Sequence, residues 1–411
     1  MKNKTTTFLL AACALLLTAC GGNSSKKQNM DSFEKGTFGY DLQFLNRYDS
    51  VIVLSNKSGE ARIIVSPKYQ AKVFTSTAEG DKGSSFGWIN YEAFDKLVPH
   101  MNAYGGENRL WLGPEGGQYS VYFAPGAEQV YENWQTAPEI DSEAWSLQAV
   151  SETSVSMRKE MSITNYKGSM LSVVSERVVT LLSTDEIGGK LNVKIPESVK
   201  PVGYTTQNSI TNTGDNQWTE DTGTISIWML DMFTPSPSAV TVVPYVQGCE
   251  DELGKVATTD YFGDIPPQWL QITEKAIYLK VDGKYRAKLG VAPKRAKPIA
   301  GNYDPEAKVL TIAVFDVEKE AAYLNQEWRL DADPLKGDAV NAYNDGPLED
   351  GSQMGPFYEI ESVSPAAFLK PGESMRHRHD VYHFVGDEAR LTLLSEALLG
   401  VSINEIKNTF K

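Results

Sequence analysis

Two glutamates carry the strongest chemical signal in this sequence. Glu359 and Glu361 stand two positions apart in Phe357-Tyr358-Glu359-Ile360-Glu361-Ser362, so an extended strand puts both carboxylates on one face. Paired carboxylates suit acid–base work, including glycosidic chemistry when a sugar lies between them. Facing a dry cleft, such a group takes up a proton near neutrality because burial disfavours its charge. The alternative is a solvated strand face. Far upstream, Gly105-Gly106-Glu107-Asn108-Arg109-Leu110-Trp111 is followed by Pro114-Glu115. The planar Arg109 guanidinium suits vicinal hydroxyls or a carboxylate, with Trp111 as a stacking platform and Glu107 and Glu115 as further polar groups. A structural arginine paired with Glu107 or Glu115 fits the same residues.

His377, His379 and His383 share one face of a regular strand. They suggest substrate contacts, a metal site if a third ligand arrives, or one histidine acting as an acid near Glu361. A polar strand face is the plain alternative. Arg376 and Arg378 then face the other way, toward acidic sugars or solvent. The run Asn341-Ala342-Tyr343-Asn344-Asp345-Gly346-Pro347 is dense in turn formers. It reads as a loop, either a lip of the binding cleft that offers Asn341 and Asp345 or an Asx-type turn. No phosphate-binding loop, dinucleotide fingerprint, nucleophile elbow or Cys/His zinc knuckle occurs, so no cofactor is called for, and a metal stays open.

The elements that must position these groups are strands. Short apolar runs rich in Val, Ile, Tyr and Phe recur between turn formers at 51–54, 61–65, 72–74, 120–123, 171–174, 178–182 and 224–229, then at 276–281, 309–315 and 375–384. No helical period long enough for βαβ units appears between 35 and 385, and no internal repeat supports a propeller. Leu391, Leu394, Ala397 and Leu398 follow the helical period ahead of Gly400, and 402–410 offers a second short helix. An amphipathic cap on a β sandwich is the expectation.

Among 411 residues, 53 acids outnumber 39 Lys and Arg, and no local basic patch offers a nucleic-acid footprint. Eight Trp and 19 Tyr supply flat apolar faces with polar edges, as sugar rings require, although such residues are also common in cores. At the N-terminus, Lys2 and Lys4 precede a short apolar stretch from Phe8 to Leu17, right for a secretory signal and too short to cross a bilayer. It ends in Leu17-Thr18-Ala19-Cys20-Gly21, which resembles a bacterial lipobox. That resemblance implies cleavage before Cys20, lipid attachment there, and an outer-membrane address because position 21 is not Asp. Segment 20–35 then reads as a flexible tether. The one remaining thiol, Cys249, is expected to be buried and without a disulfide partner.

From Glu361 onward the chain resembles the galactose mutarotase (aldose 1-epimerase) family. That family carries a Leu-Glu-Thr strand, then Leu-x-Pro-Gly-Glu-Thr, then a Tyr-x-Phe strand; here stand Ile360-Glu361-Ser362, Leu369-Lys370-Pro371-Gly372-Glu373-Ser374 and Tyr382-His383-Phe384. A second echo is Asn108-Arg109-Leu110 against the family's Asn-Arg-Ile. The resemblance implies Glu361 as catalytic base, Arg109 as a sugar ligand, and a supersandwich of large, mostly antiparallel sheets with a short C-terminal helical segment. The family's two active-site histidines have no counterpart; the mid-chain stretch reads Ser209-Ile210-Thr211-Asn212-Thr213-Gly214. Simple mutarotation therefore does not follow, since ring opening needs an acid opposite the base. The expectation is an envelope-anchored protein with a signal at 1–19, a lipidated tether at 20–35, a β domain at 36–386 and a helical cap at 387–411. It binds or processes carbohydrate. The alternatives are a sugar epimerase, lyase or hydrolase with Glu361 as base, and a structural envelope protein with no sugar site.

Overall fold

A computed structural model describes residues 33–411. The signal segment, Cys20 and all of the expected tether except positions 33–35 lie outside the described residues.

The chain begins with α1 (Phe38–Leu45), β1 (Ile52–Ser55), β2 (Arg62–Ser66), β3 (Lys72–Thr77), β4 (Arg109–Gly113) and α2 (Pro138–Asp141). Next come β5 (Ser146–Val150), β6 (Ser154–Thr164), β7 (Met170–Leu181), α3 (Thr184–Leu191), β8 (Lys200–Asn212), β9 (Ser226–Phe233) and β10 (Val240–Pro244). These lead to α4 (Glu250–Leu253), β11 (Leu270–Ile272), β12 (Ala276–Lys280), β13 (Ala287–Val291), β14 (Ile299–Asp304) and β15 (Val309–Phe315). The last are β16 (Val340–Asn344), β17 (Tyr358–Val363), β18 (Ser374–Val385), α5 (Glu388–Leu399) and α6 (Ile403–Asn408).

The strands form a large antiparallel sheet in the order β11-β12-β10-β14-β15-β18-β8-β7-β6-β5, a five-stranded sheet β13-β16-β17-β9-β4, and a small sheet β1-β2-β3. Alternation along each strand explains the layering. In β18, Val381 turns toward the five-stranded sheet with the main core, whereas Tyr382 and Phe384 turn outward onto the helices, where Leu391, Leu394, Leu399, Ile403 and Ile406 cover them. In the five-stranded sheet, Leu110, Ile227, Leu289, Ala342 and Ile360 point into the core between the sheets. Its other face carries Arg109, Lys288, Glu359 and Glu361, and those strands are buried throughout. A buried sheet face bearing charges is what singles this surface out.

Several expectations change. The apolar run 171–174 and the run 178–182 are one strand, β7, and 120–123 is buried but forms no strand. Apolar content there reports burial, and Val121 bonds back to Pro114 instead of entering a ladder. Residues 341–344 are strand, not loop: Asn341 donates to the Leu289 carbonyl and the Tyr261 hydroxyl, and Asn344 to the Tyr285 carbonyl, which satisfies their amides within the sheet. Helices α1 and α3 lie where no helical period was read. α3 is opened by a capping box in which Ser183 and Glu186 bond reciprocally. Cys249 is exposed at the start of α4, in an acidic loop off the sheets. At the C-terminus, Asp387 caps α5 and Gly400 ends it in the left-handed region, while Ala397 faces solvent.

Candidate functional site

Register places the site residues. Arg109 on β4 and Glu361 on β17 both pair with Leu230 of the intervening β9, so they share one row of the sheet. Two strand spacings, roughly 10 Å, separate their backbones. The same row continues to Asn341, and the next row runs Lys288, Tyr343, Glu359, Met232. Loops close over this face and leave two abutting chambers of about 550 and about 90 Å³. The outer one is lined by Tyr131, Tyr261, Phe262, Trp328 and Met354, with Glu115 and Asp345 among its acids. The inner one reaches Arg109, Trp111, Trp228 and Glu359. Phe262 and Leu348 stay exposed at the mouth.

Each carboxylate on the floor has its own cation. Arg109 Nη2 lies 2.6 Å from Glu359 Oε1, with both side chains almost wholly buried. Lys288 Nζ lies 3.0 Å from Glu361 Oε2, which also accepts a 2.8 Å bond from the Trp228 indole. Glu361 is fully buried, and among the described residues its Oε1 has no partner. Burial raises the pKa of Glu359; Arg109 opposes the shift, and the charge of Glu361 adds to it. Burial works against the charge of Lys288, but Glu361, Glu115 and Glu359 together hold its pKa above the ordinary value. Burial also raises Glu115 and Asp345.

The structure brings Arg109, Trp111, Glu115, Glu359 and Asp345 to the chambers. The guanidinium of Arg109 lies over the Trp111 ring at 4.9 Å. Its carboxylate is Glu359, not Glu107 or Glu115. Glu361 and Asn341 sit a layer deeper, behind Lys288 and Tyr261.

Glu107, His377 and His379 are not brought to the cavity. Glu107 accepts from Ser76 at 2.7 Å and meets His383 at 3.1 Å, on the opposite side of the five-stranded sheet. His377 and His379 both bond Ser362 at 2.8 Å, and His379 lies 2.7 Å from Asp231. This cluster resembles a nucleophilic triad in composition, but Ser362, His379 and Asp231 are wholly buried in the intersheet core. It ties β17 and β9 to β18. Burial, followed by the neighbouring His379, pushes His377 down to about 3, so its imidazole is neutral. Among the described residues, no group of three His, Cys, Asp or Glu side chains is arranged to hold a metal ion. Arg378 pairs with Asp316 and Asp380, away from the chambers.

Lys288, Arg286, Trp228 and Tyr261 escaped the sequence reading. A lone lysine inside Ala287-Lys288-Leu289-Gly290-Val291 was the available signal, because a buried strand does not hold a charge without a partner.

The chain belongs to the family of unknown function DUF6786, which matches residues 36–410. Among solved structures it is similar to a provisionally assigned aldose 1-epimerase from Escherichia coli K12 (15% identity, 81% of this chain and 98% of that one, TM-score 0.47). It is also similar to the Slr1438 protein from Synechocystis sp. PCC 6803 (12%, 82% and 96%, 0.47). A third is a galactose mutarotase-like protein from Lactobacillus casei ATCC 334 (9%, 81% and 100%, 0.47). No curated protein matches the sequence.

Proposed function

We propose that this chain is a bacterial envelope lipoprotein, anchored through Cys20 at the outer membrane, that binds or processes carbohydrate in the cavity over the five-stranded sheet. One observation carries the reading. Arg109, Glu359 and Lys288 converge on the floor of an aromatic-walled cavity of about 550 Å³ with its inner extension. A sugar has apolar ring faces for stacking and a rim of hydroxyls for charged donors and acceptors, and this cavity offers both. The motif resemblance around Glu361 and Arg109 points the same way. A purely structural envelope protein has no use for a charged, enclosed sheet face, whose desolvation costs stability.

The catalytic form of the reading is a sugar epimerase, lyase or hydrolase. It draws on Glu361, whose free Oε1 is a buried acceptor without a donor among the described residues. In that form Glu361 reaches a ligand past Lys288, while Glu359 meets it directly. A glycan array followed by turnover assays of the captured sugar tests both forms. Binding with turnover lost in Glu361→Gln or Glu359→Gln supports catalysis. Binding without turnover in any form leaves a binding protein, and capture of no glycan refutes the carbohydrate reading.

A further inference from the structure

We propose that the cavity selects a carboxylated saccharide, a glycan containing a uronic acid, through Arg286; this rests on the saccharide reading above. Among the described residues, three cationic side chains line the two chambers. Arg109 is paired with Glu359 and Lys288 with Glu361. Arg286 has no ion pair among the described residues. Its guanidinium carbon lies 3.8 Å from the centroid of the Phe262 ring, and its Nε donates to the Tyr343 hydroxyl at 3.3 Å. The ring contact and the Nε bond together position the guanidinium. Among the described residues, the two terminal amino groups have no protein acceptor. A planar fork held that way is matched by a planar anion with two oxygens, which is a carboxylate.

The acids near Arg286 feel its charge but form no ion pair with it among the described residues. Asp345 already accepts from the Tyr343 hydroxyl at 3.0 Å with one oxygen and from the Gly355 amide at 2.8 Å with the other. Glu327 accepts from Asn325 at 2.9 Å. Burial raises the pKa of Glu115; Lys288 and Arg286 oppose that shift, and Glu115 forms no ion pair with Arg286 among the described residues. Arg286 lines both chambers, and Arg109 and Glu359 line the inner one beside it. A sugar ring seated over that floor therefore presents its carboxylate to Arg286, or belongs to a chain whose next residue carries it.

The test is an array of uronate-containing, sulfated, neutral and amino-sugar glycans, with every uronate glycan also printed after carboxyl reduction. Wild-type protein is expected to bind native uronate glycans about tenfold or more tightly than their reduced twins, the size of one charge-assisted bidentate contact. Arg286→Gln is expected to erase that difference, and Arg286→Lys to keep only part of it, because a point charge replaces the fork. The wild-type comparison needs no variant to fold. Equal binding of native and reduced forms overturns the proposal and leaves the saccharide reading standing. So does a preference for sulfated or amino-sugar glycans. Capture of no glycan of any class overturns both.

Discussion

The Lys288–Glu361 pair gives a quantitative test of how the site is built. At 3.0 Å and an effective dielectric of about 20, the attraction is of order 5 kcal/mol, and taking each ion out of water costs several kcal/mol in return. The net value of the pair is therefore small, but its two halves depend on each other. Lys288→Met strands a fully buried carboxylate whose remaining donor among the described residues is Trp228. Glu361→Gln strands an ammonium against a neutral amide. Each single change is expected to cost about 3–5 kcal/mol. The double variant removes both charges and is expected to cost about 1–3 kcal/mol less than either single one. Urea unfolding followed by tryptophan fluorescence at fixed pH, arranged as a double-mutant cycle, reads the coupling directly. Single costs below about 1 kcal/mol, or additivity within about 0.5 kcal/mol, would refute the pairing.

Other expectations follow from the same contacts. Trp228→Phe keeps an aromatic ring, though a smaller one, and removes the indole donor to Glu361, and urea denaturation should show a loss of about 1.5–3 kcal/mol. Gly290→Ala drives a Cβ into the Asp338 carboxylate, which Tyr261 holds at 2.7 Å, and puts it 2.8 Å from the Asn341 amide. A cost of about 1–3 kcal/mol is expected from this overpacking, and a neutral outcome would show that Asp338 is free to move. Burial raises Asp338 to about 6. Between roughly pH 4 and 6 the folded chain then holds a proton that the unfolded chain has released, so this group's contribution falls as pH rises through that window. Asp338→Asn should flatten that slope, improving stability at pH 7.5 relative to pH 4 by on the order of 3 kcal/mol against wild type. Identical pH profiles for the two proteins would contradict the assignment.

The strand architecture was legible wherever one strand's apolar run coincided with its ladder, as in β15, read at 309–315 and found over the same residues. It was illegible where burial and pairing part company. The run 120–123 is apolar because it packs, not because it pairs. Helix α3 has few apolar residues, so its end signal, Ser183 with Glu186, outweighed a periodicity too weak to read. Within the site, the same-face placement of Glu359 and Glu361 follows from a period of two and held. Which face they occupy relative to the histidines did not follow, because facing depends on how two sheets stack. Thus the odd-numbered histidines of β18 point into the intersheet core, whereas the odd-numbered glutamates of β17 point away from it. The pairing of Lys288 with Glu361 joins residues 73 positions apart and is set by the β13-β16-β17 order, which no local pattern encodes.

The most direct test of the carbohydrate reading is the position of a captured glycan in a crystal of its complex. The account predicts a sugar ring in the cavity beneath Trp328, within hydrogen-bond distance of Arg109, Glu359 or Lys288. A glycan seated on any other surface, with this cavity filled only by solvent, would contradict it.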